Sequence, residues 1–279
     1  MNRRFVICDV FTDRPFEGNQ LGVFTDARGL TSGQMQALAR ELAFSECTFV
    51  LPAEHGGSAR IRIFTPAAEL PFAGHPCLGT AFVLGAPMQL DEIRLETGGG
   101  IVPVRLEREG NTLVFGRMSQ PIPTRRPFER PAELLAALGV DASELPLEVY
   151  DNGVEHVYIA LSSEDAVVAV EPDMAALKKL GDIGVSCVAG SGKNYTARVF
   201  APGLGVPEDP ATGSAAGPLA VHLASHGRIE WGDEIVIAQG ASRGRPSTLF
   251  ARASGSPEAI VSVEVGGSAV IVARGEFAV

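Results

Sequence analysis

The sequence predicts an α+β protein built as two similar halves that face each other across a cleft. Three observations carry this. Short β-rich segments dominate the chain, with few helical stretches between them. Glycine is abundant, 32 of 279 residues, above the usual level of about 7%, as many tight turns and close backbone approaches require. A strand–loop–helix signature also recurs half a chain-length apart. Arg62-Ile-Phe-Thr-Pro66 matches Arg198-Val-Phe-Ala-Pro202, and each is followed by a proline-containing loop. Each loop reaches a small-residue helix start: Gly74-His75-Pro-Cys-Leu-Gly-Thr-Ala in one half, Gly213-Ser214-Ala-Ala-Gly-Pro-Leu-Ala in the other. The offset is 198 − 62 = 136 at the strand and 213 − 74 = 139 at the glycine, so the second loop is three residues longer. Half of 279 is about 139, which reads as a duplicated fold.

The elements follow in order. Residues 4–11 and 20–25 read as strands around the turn-like PFEGN segment. Thr31 caps a helix whose apolar positions Met35, Leu38 and Leu42 share one face. Strands are expected at 46–51 and 59–65, the latter alternating Ile61 and Ile63 with Arg60 and Arg62. A buried helix follows at 78–86, then strands at 92–97, 101–107 and 112–117. The proline-rich, charged stretch 119–130 is the linker candidate. The expected domains are therefore 1–118 and 131–269, with a last strand near 270–279 packing back on the first. In the second half a helix is expected at 131–139, and strands at 147–150, 155–161, 166–170, 185–189 and 196–201. A helix at 214–226 stops at Gly227, and the remainder reads as strands with glycine-rich turns.

Composition narrows the function. Hydrophobic residues make up 46% of the chain, enough for a sizeable core. The net charge of −10 and acidic balance argue against a nucleic-acid partner. A small anion can still be bound by backbone donors in an acidic protein. Four scattered cysteines, Cys8, Cys47, Cys77 and Cys187, form no disulfide framework and no C-x-x-C pair. The N-terminus lacks the apolar run of a signal peptide, and no stretch approaches the ~18 apolar residues of a membrane span. A cytoplasmic protein is expected.

The chemistry lies in the repeated loops. Two helix N-termini preceded by small residues can aim free N–H groups and two positive dipole ends at one spot. Such a cradle suits a carboxylate or an enolate. Asp209 and Ser214 sit beside the second start and His75 beside the first. Taken singly, an Asp before proline is a turn former and a Ser before a helix is a cap; the pairing of two such loops favours function. Glu46, in Phe44-Ser45-Glu46-Cys47-Thr48-Phe49, stands at the start of an apolar strand. Desolvation there raises a carboxyl pKa, as an acid/base working near neutral pH needs. The plainer reading is a surface glutamate. His222 and His226 stand one helical turn apart but lack an obvious third metal ligand, so no metal is expected. Gly190-Ser-Gly-Lys193 misses the first glycine of a P-loop, and no early G-x-G-x-x-G marks a nicotinamide site.

Four segments together resemble the PhzF family of phenazine-biosynthesis isomerases, which share the diaminopimelate-epimerase fold. They are Phe16-Glu-Gly-Asn19, Ala39-Arg-Glu-Leu-Ala-Phe-Ser-Glu46, Phe64-Thr-Pro-Ala-Ala-Glu-Leu-Pro-Phe-Ala-Gly-His-Pro76 and Glu208-Asp-Pro-Ala-Thr-Gly-Ser-Ala-Ala-Gly217. The likeness runs over essentially the whole chain. Ser119–Thr124, Leu219–Gly227 and Gln239–Ser247 lie close to the phenazine-pathway branch. The resemblance implies two pseudo-symmetric domains, each a mostly antiparallel, barrel-like sheet around a central helix. It implies isomerisation of trans-2,3-dihydro-3-hydroxyanthranilate, a small anionic cyclohexadiene carboxylate, by a homodimer with no cofactor and no metal. It assigns Glu46 as the acid/base that moves a proton from C3 to C1, with His75 and Asp209 holding the amino and hydroxyl groups. Gly74, Gly213 and Ser214 would bind the carboxylate, with Ser45 and Asn19 lining the pocket.

Epimerases and racemases of this fold use two opposed cysteines at the helix starts. Ala73 and Thr212 stand there in this chain. A two-base inversion lacks its bases, whereas a one-base proton shift remains open. The residues leave two alternatives: an isomerase or epimerase of the same fold acting on another small carboxylate, and a non-catalytic binding protein.

Overall fold

A computed structural model describes residues 2–279. The first half runs β1 (Asn2–Val10), β2 (Asn19–Phe24), α1 (Ser32–Leu42), β3 (Glu46–Leu51), β4 (Ala59–Phe64), β5 (Glu69–Leu70), α2 (Gly74–Met88), β6 (Glu92–Thr97), β7 (Gly100–Glu109) and β8 (Thr112–Gln120). The second half opens with β9 (Thr124–Pro127), α3 (Pro131–Leu138), β10 (Glu148–Asp151), β11 (Glu155–Ala160), α4 (Glu164–Val168) and α5 (Met174–Lys178). It continues through β12 (Gly184–Ser191), β13 (Asn194–Ala201), β14 (Val206–Asp209) and α6 (Gly213–Ser225). It ends with β15 (Glu234–Gln239), β16 (Ser247–Ser256), β17 (Ala259–Gly267) and β18 (Ala269–Ala278).

The pairing pattern repeats strand for strand. In the first half β1–β2 is antiparallel, β2–β3 parallel, β3–β4 antiparallel, β4–β6 parallel, and β6–β7 and β7–β8 antiparallel. In the second, β10–β11, β11–β12, β12–β13, β13–β15, β15–β16 and β16–β17 follow the same order of directions. Each half gains one more antiparallel strand: β18 pairs with β1, and β9 with β10. β8 and β17 pair antiparallel and join the halves into one connected sheet.

The central helices explain why the strands wrap. Eleven of the 15 residues of α2 and 12 of the 13 in α6 are buried, so each helix is apolar on nearly every side and must be enclosed. Leu78, Ala81 and Phe82 of α2 and Leu219, Ala220 and Leu223 of α6 join one continuous core. The repeated R-x-F motif builds the same device twice. Arg62 Nε donates to Glu69 Oε1 at 2.7 Å and its guanidinium lies 5.1 Å from the Phe64 ring centre. Arg198 Nε donates to Glu208 Oε1 at 2.8 Å and lies 4.9 Å from the Phe200 ring centre. Each pins its short strand, β5 or β14, just before a central helix.

Several local expectations change. Residues 166–170 do not form a strand: α4 covers Glu164–Val168, nucleated by Ser163, whose side chain accepts from the Ala166 N–H. The short apolar run there fits either period, and the Ser-Glu-Asp start decides it. The buried helix expected at 78–86 begins four residues earlier, at Gly74. Helix α5, begun by the Asp173 side chain, and the short strands β5 and β14 fall in stretches read as loop. The stretch 119–130 is ordered, with β8 reaching Gln120 and β9 pairing with β10. Thr31 caps α1 with a full capping box to Gln34.

Candidate active site

The site forms where α2 and α6 meet end to end. A Cβ built on Gly74 would lie 2.5 Å from both the Gly213 carbonyl carbon and the Ser214 nitrogen. A Cβ on Gly213 would lie 3.0 Å from Phe11 Cζ and 3.1 Å from the Gly74 carbonyl carbon. Only glycine permits this approach of backbone to backbone. Neither N-cap residue, Ala73 or Thr212, caps its helix with a side chain. Two positive dipole ends therefore converge without side-chain caps, an environment that favours an anion.

Two carboxyl groups share this field. Glu46 opens β3, which lies between β2 and β4 and so is an interior strand. Its Oε2 is buried without a hydrogen-bond partner and stands 3.5 Å from His75 Nδ1. Burial first, and the negative charge of Asp209 second, hold the Glu46 carboxyl well above the usual carboxylate range. The plainer reading of Glu46 as a surface residue is thus overturned. Asp209 closes β14. Its Oδ1 accepts from Asn19 Nδ2 and Ser45 Oγ, each at 2.8 Å, and its Oδ2 from Thr212 Oγ1 at 2.7 Å. Burial raises its pKa, while these three donors pull it back. Asp209 is as enclosed as Glu46 but is the hydrogen-bonded partner, so it carries the charge and Glu46 the proton. Burial pushes the His75 imidazole down to about 3, so it is neutral. Its Nδ1 also lies 3.3 Å from Asn19 Nδ2.

The structure thus brings Glu46, His75, Asp209, Asn19, Ser45, Gly74, Gly213 and Ser214 into one locality. Glu46, Asp209, Ser214, Ala73, Thr212 and His156 line a cavity of about 40 Å³ between the halves. Asn19 and Ser45 open on an adjacent recess beside Glu208 and Arg245. A larger recess of about 900 Å³, lined by Thr12, Arg14 and Phe250, contains neither Glu46 nor Asp209. Volume does not mark the chemistry here; the convergence of buried acids does.

Sequence reasoning missed four supporting residues. Gln239 Nε2 donates to the Asp209 carbonyl at 2.8 Å, and its Oε1 accepts from the Thr212 N–H at 3.2 Å. Gln120 Nε2 donates to the Gly213 carbonyl and Asn152 Nδ2 to the Ser214 carbonyl, at 2.8 and 2.9 Å. His156 Nε2 lies 3.0 Å from Ser214 Oγ. Ser214 is therefore held by a side chain and is not the helix cap. The available signal was a polar residue inside or ending an apolar strand, as in Glu234–Gln239.

No thiol serves the site. Cys47 points away from Glu46 into the cluster of Phe24, Phe49 and Phe64. Burial pushes Cys47 and Cys77 up to about 12, so both stay protonated. His222 and His226 do meet a third potential metal ligand, Glu148, contrary to expectation; the three ligand atoms lie within 4.8 Å of one another. Glu148 Oε2 is engaged by His226 Nε2 at 2.8 Å and by Tyr150 Oη at 3.0 Å. His222 Nε2 is buried without a partner. Metal ligation through His222 Nδ1 would place the proton on that orphan nitrogen, at a cost. The cluster is better described as a hydrogen-bonded hub on the Glu148 carboxylate, which His222 foremost holds down at about 2.

Comparisons with known proteins place the chain in a family. The chain is 51% identical over 272 residues to a trans-2,3-dihydro-3-hydroxyanthranilate isomerase of Pseudomonas aeruginosa, covering 98% of both chains. It is 50% identical to the enzyme of that name from Pseudomonas fluorescens, over 97% of this chain and 98% of the other. A Bacillus anthracis phenazine biosynthesis protein of the PhzF family superposes with a TM-score of 0.84 at 25% identity, covering 100% of both chains. A hydroxyproline epimerase from Agrobacterium vitis, at 13% identity, shares the fold, with a TM-score of 0.65 over 99% of this chain and 91% of the other. Residues 8–275 match the family described as phenazine biosynthesis-like protein, PhzC-PhzF. This chain therefore belongs to the PhzC-PhzF family.

Proposed function

We propose that this protein isomerises trans-2,3-dihydro-3-hydroxyanthranilate as a step of phenazine biosynthesis. The observation that carries the reading is the unpartnered, buried Oε2 of Glu46 beside two abutting, uncapped helix starts. The substrate carboxylate sits at those starts, held by Gly74, Gly213 and Ser214. Glu46, once ionised, takes the proton from C3. The C3–H electron pair becomes the C3=C4 double bond, the diene moves along by one carbon, and C1 receives the proton back from Glu46. The product enol then relaxes to an aminoketone. A carboxyl pKa held well above the usual carboxylate range suits a group that must both take and return a proton. His75, held neutral, and Asp209, held ionised, receive the amino and hydroxyl groups.

The proton is conserved within the reaction, so the chemistry itself calls for neither metal nor organic cofactor. Residues 1–118 and 131–269, joined by 119–130, act as the two site-building domains in this reading. A homodimer in the cytoplasm completes it; among the described residues no helix is long and apolar enough to cross a membrane. Adding the dihydroanthranilate to catalytic amounts of pure protein should give a rapid ultraviolet change as the conjugated diene is rearranged. An unchanged spectrum would overturn the reading.

A further inference from the structure

The internal repeat can be carried to single residues through strand register. Glu46 pairs with Leu21 across the parallel β2–β3 ladder, and the next residue, Cys47, faces Phe64 of β4. In the second half Gly184 pairs with His156 across β11–β12, and the next residue, Val185, faces Phe200 of β13. Phe64 and Phe200 hold the same place in the repeated motif. Gly184 is therefore the counterpart of Glu46, and His156 that of Leu21. By the same count Asp209 answers to Leu70, because the ion-paired Glu208 answers to Glu69. Each half contributes one acid, from different positions.

The counterpart of the base is thus a glycine whose space is taken. A Cβ on Gly184 would lie 2.3 Å from His156 Nδ1. No acidic side chain fits there while the imidazole is present. His156 is 2% exposed, and burial pushes it down to about 3, so the ring is neutral with one N–H. Its Nδ1 has no hydrogen-bond partner, whereas Nε2 lies 3.0 Å from Ser214 Oγ. A proton on Nδ1 would be a buried orphan donor; a bare Nδ1 costs less. The proton belongs on Nε2, donated to Ser214 Oγ. No other group among the described residues bonds Ser214 Oγ, so its own hydrogen is left to point into the cavity that both residues line.

We infer that His156 is a positioning residue that makes Ser214 a one-way hydroxyl donor to a ligand carboxylate, from the place where a second base would otherwise stand. The inference rests on the proposed function for the identity of the acceptor as a ring carboxylate. It predicts selectivity: a neutral carboxamide, whose NH₂ face cannot accept, gains less from the relay than the carboxylate does.

The test uses the intact protein with anthranilate and anthranilamide as non-reacting probes, read by calorimetry. The wild type should prefer anthranilate. His156→Leu should bind anthranilate about 10- to 100-fold more weakly, the range for a hydrogen bond to a charged group, with little change for anthranilamide. His156→Gln, which can present an N–H at the same place, should recover part of the loss. Ser214→Ala should match His156→Leu, and the double variant should be no worse than either. In turnover the loss should fall on KM, with kcat within a few-fold. Unchanged selectivity in His156→Leu, or additive losses in the double variant, would overturn the proposal. Should the leucine variant fail to fold, ¹⁵N NMR of the wild-type imidazole decides: an Nε2–H tautomer that does not titrate between pH 5 and 8 supports it, and an Nδ1–H tautomer overturns it. If the wild type fails to prefer anthranilate, the ring-carboxylate reading of the substrate falls, and the tautomer still decides the role of His156.

Discussion

At the scale of single residues, the site depends on two carboxyl groups made unlike by their surroundings. Asp209 accepts three hydrogen bonds, whereas the buried Oε2 of Glu46 accepts none. The second cause of the raised Glu46 pKa is the Asp209 charge. Removing that charge lowers the Glu46 pKa, so less alkaline conditions suffice to ionise the base. Asp209→Asn is expected to move the acid limb of the kcat/KM profile to lower pH. Because Asp209 also meets the substrate in the proposed reaction, kcat should fall by about 10²-fold. A pH–rate profile checks both, and a limb that stays put or moves up contradicts the assignment. Glu46 was legible in the sequence because an acid at the head of an apolar strand is unusual. His156 was not: its partner Ser214 is 58 residues away, and only strand register brings Gly184 against the ring.

At the scale of elements, the working parts are the two helix starts. Their small residues were readable as a repeat leading into two helices, although the first helix was expected only from Leu78 and begins at Gly74. That the two backbones touch was not readable, because it depends on how two barrels dock. The misread 166–170 segment has the same origin: five apolar-rich residues fit two periods, and the cap at Ser163 settles the matter. The contact makes a sharp expectation. Gly74→Ala places a methyl group 2.5 Å from two backbone atoms of the other half, where no flexible side chain can yield. The helix ends must part, with a loss of about 1–3 kcal/mol in stability. A shift approaching 1 Å should cost about 10²-fold in kcat/KM. Chemical denaturation and steady-state kinetics measure the two. Wild-type values in both would show that the close approach is dispensable.

At the scale of the whole molecule, duplication has produced a symmetric frame with asymmetric chemistry. Both halves repeat the same strand directions and the same Arg–Glu–Phe device, and each encloses one helix. Yet the position of the base is an acid in one half and a glycine filled by an imidazole in the other. Neither N-cap position, Ala73 or Thr212, carries a thiol, and Cys47 and Cys77 are held protonated by burial. One base cannot take a proton from one face and deliver another to the opposite face. It can lift a proton from one ring carbon and return it to another on the same face. In the proposed reaction Glu46 alone carries that proton, which is an assignment open to direct test. It is tested most directly by the turnover of Glu46→Gln on the dihydroanthranilate, in a variant shown by calorimetry to bind anthranilate as the wild type does. With no other proton carrier, kcat should fall by about 10²- to 10⁴-fold with binding retained; turnover at the wild-type rate would show that Glu46 is not the base.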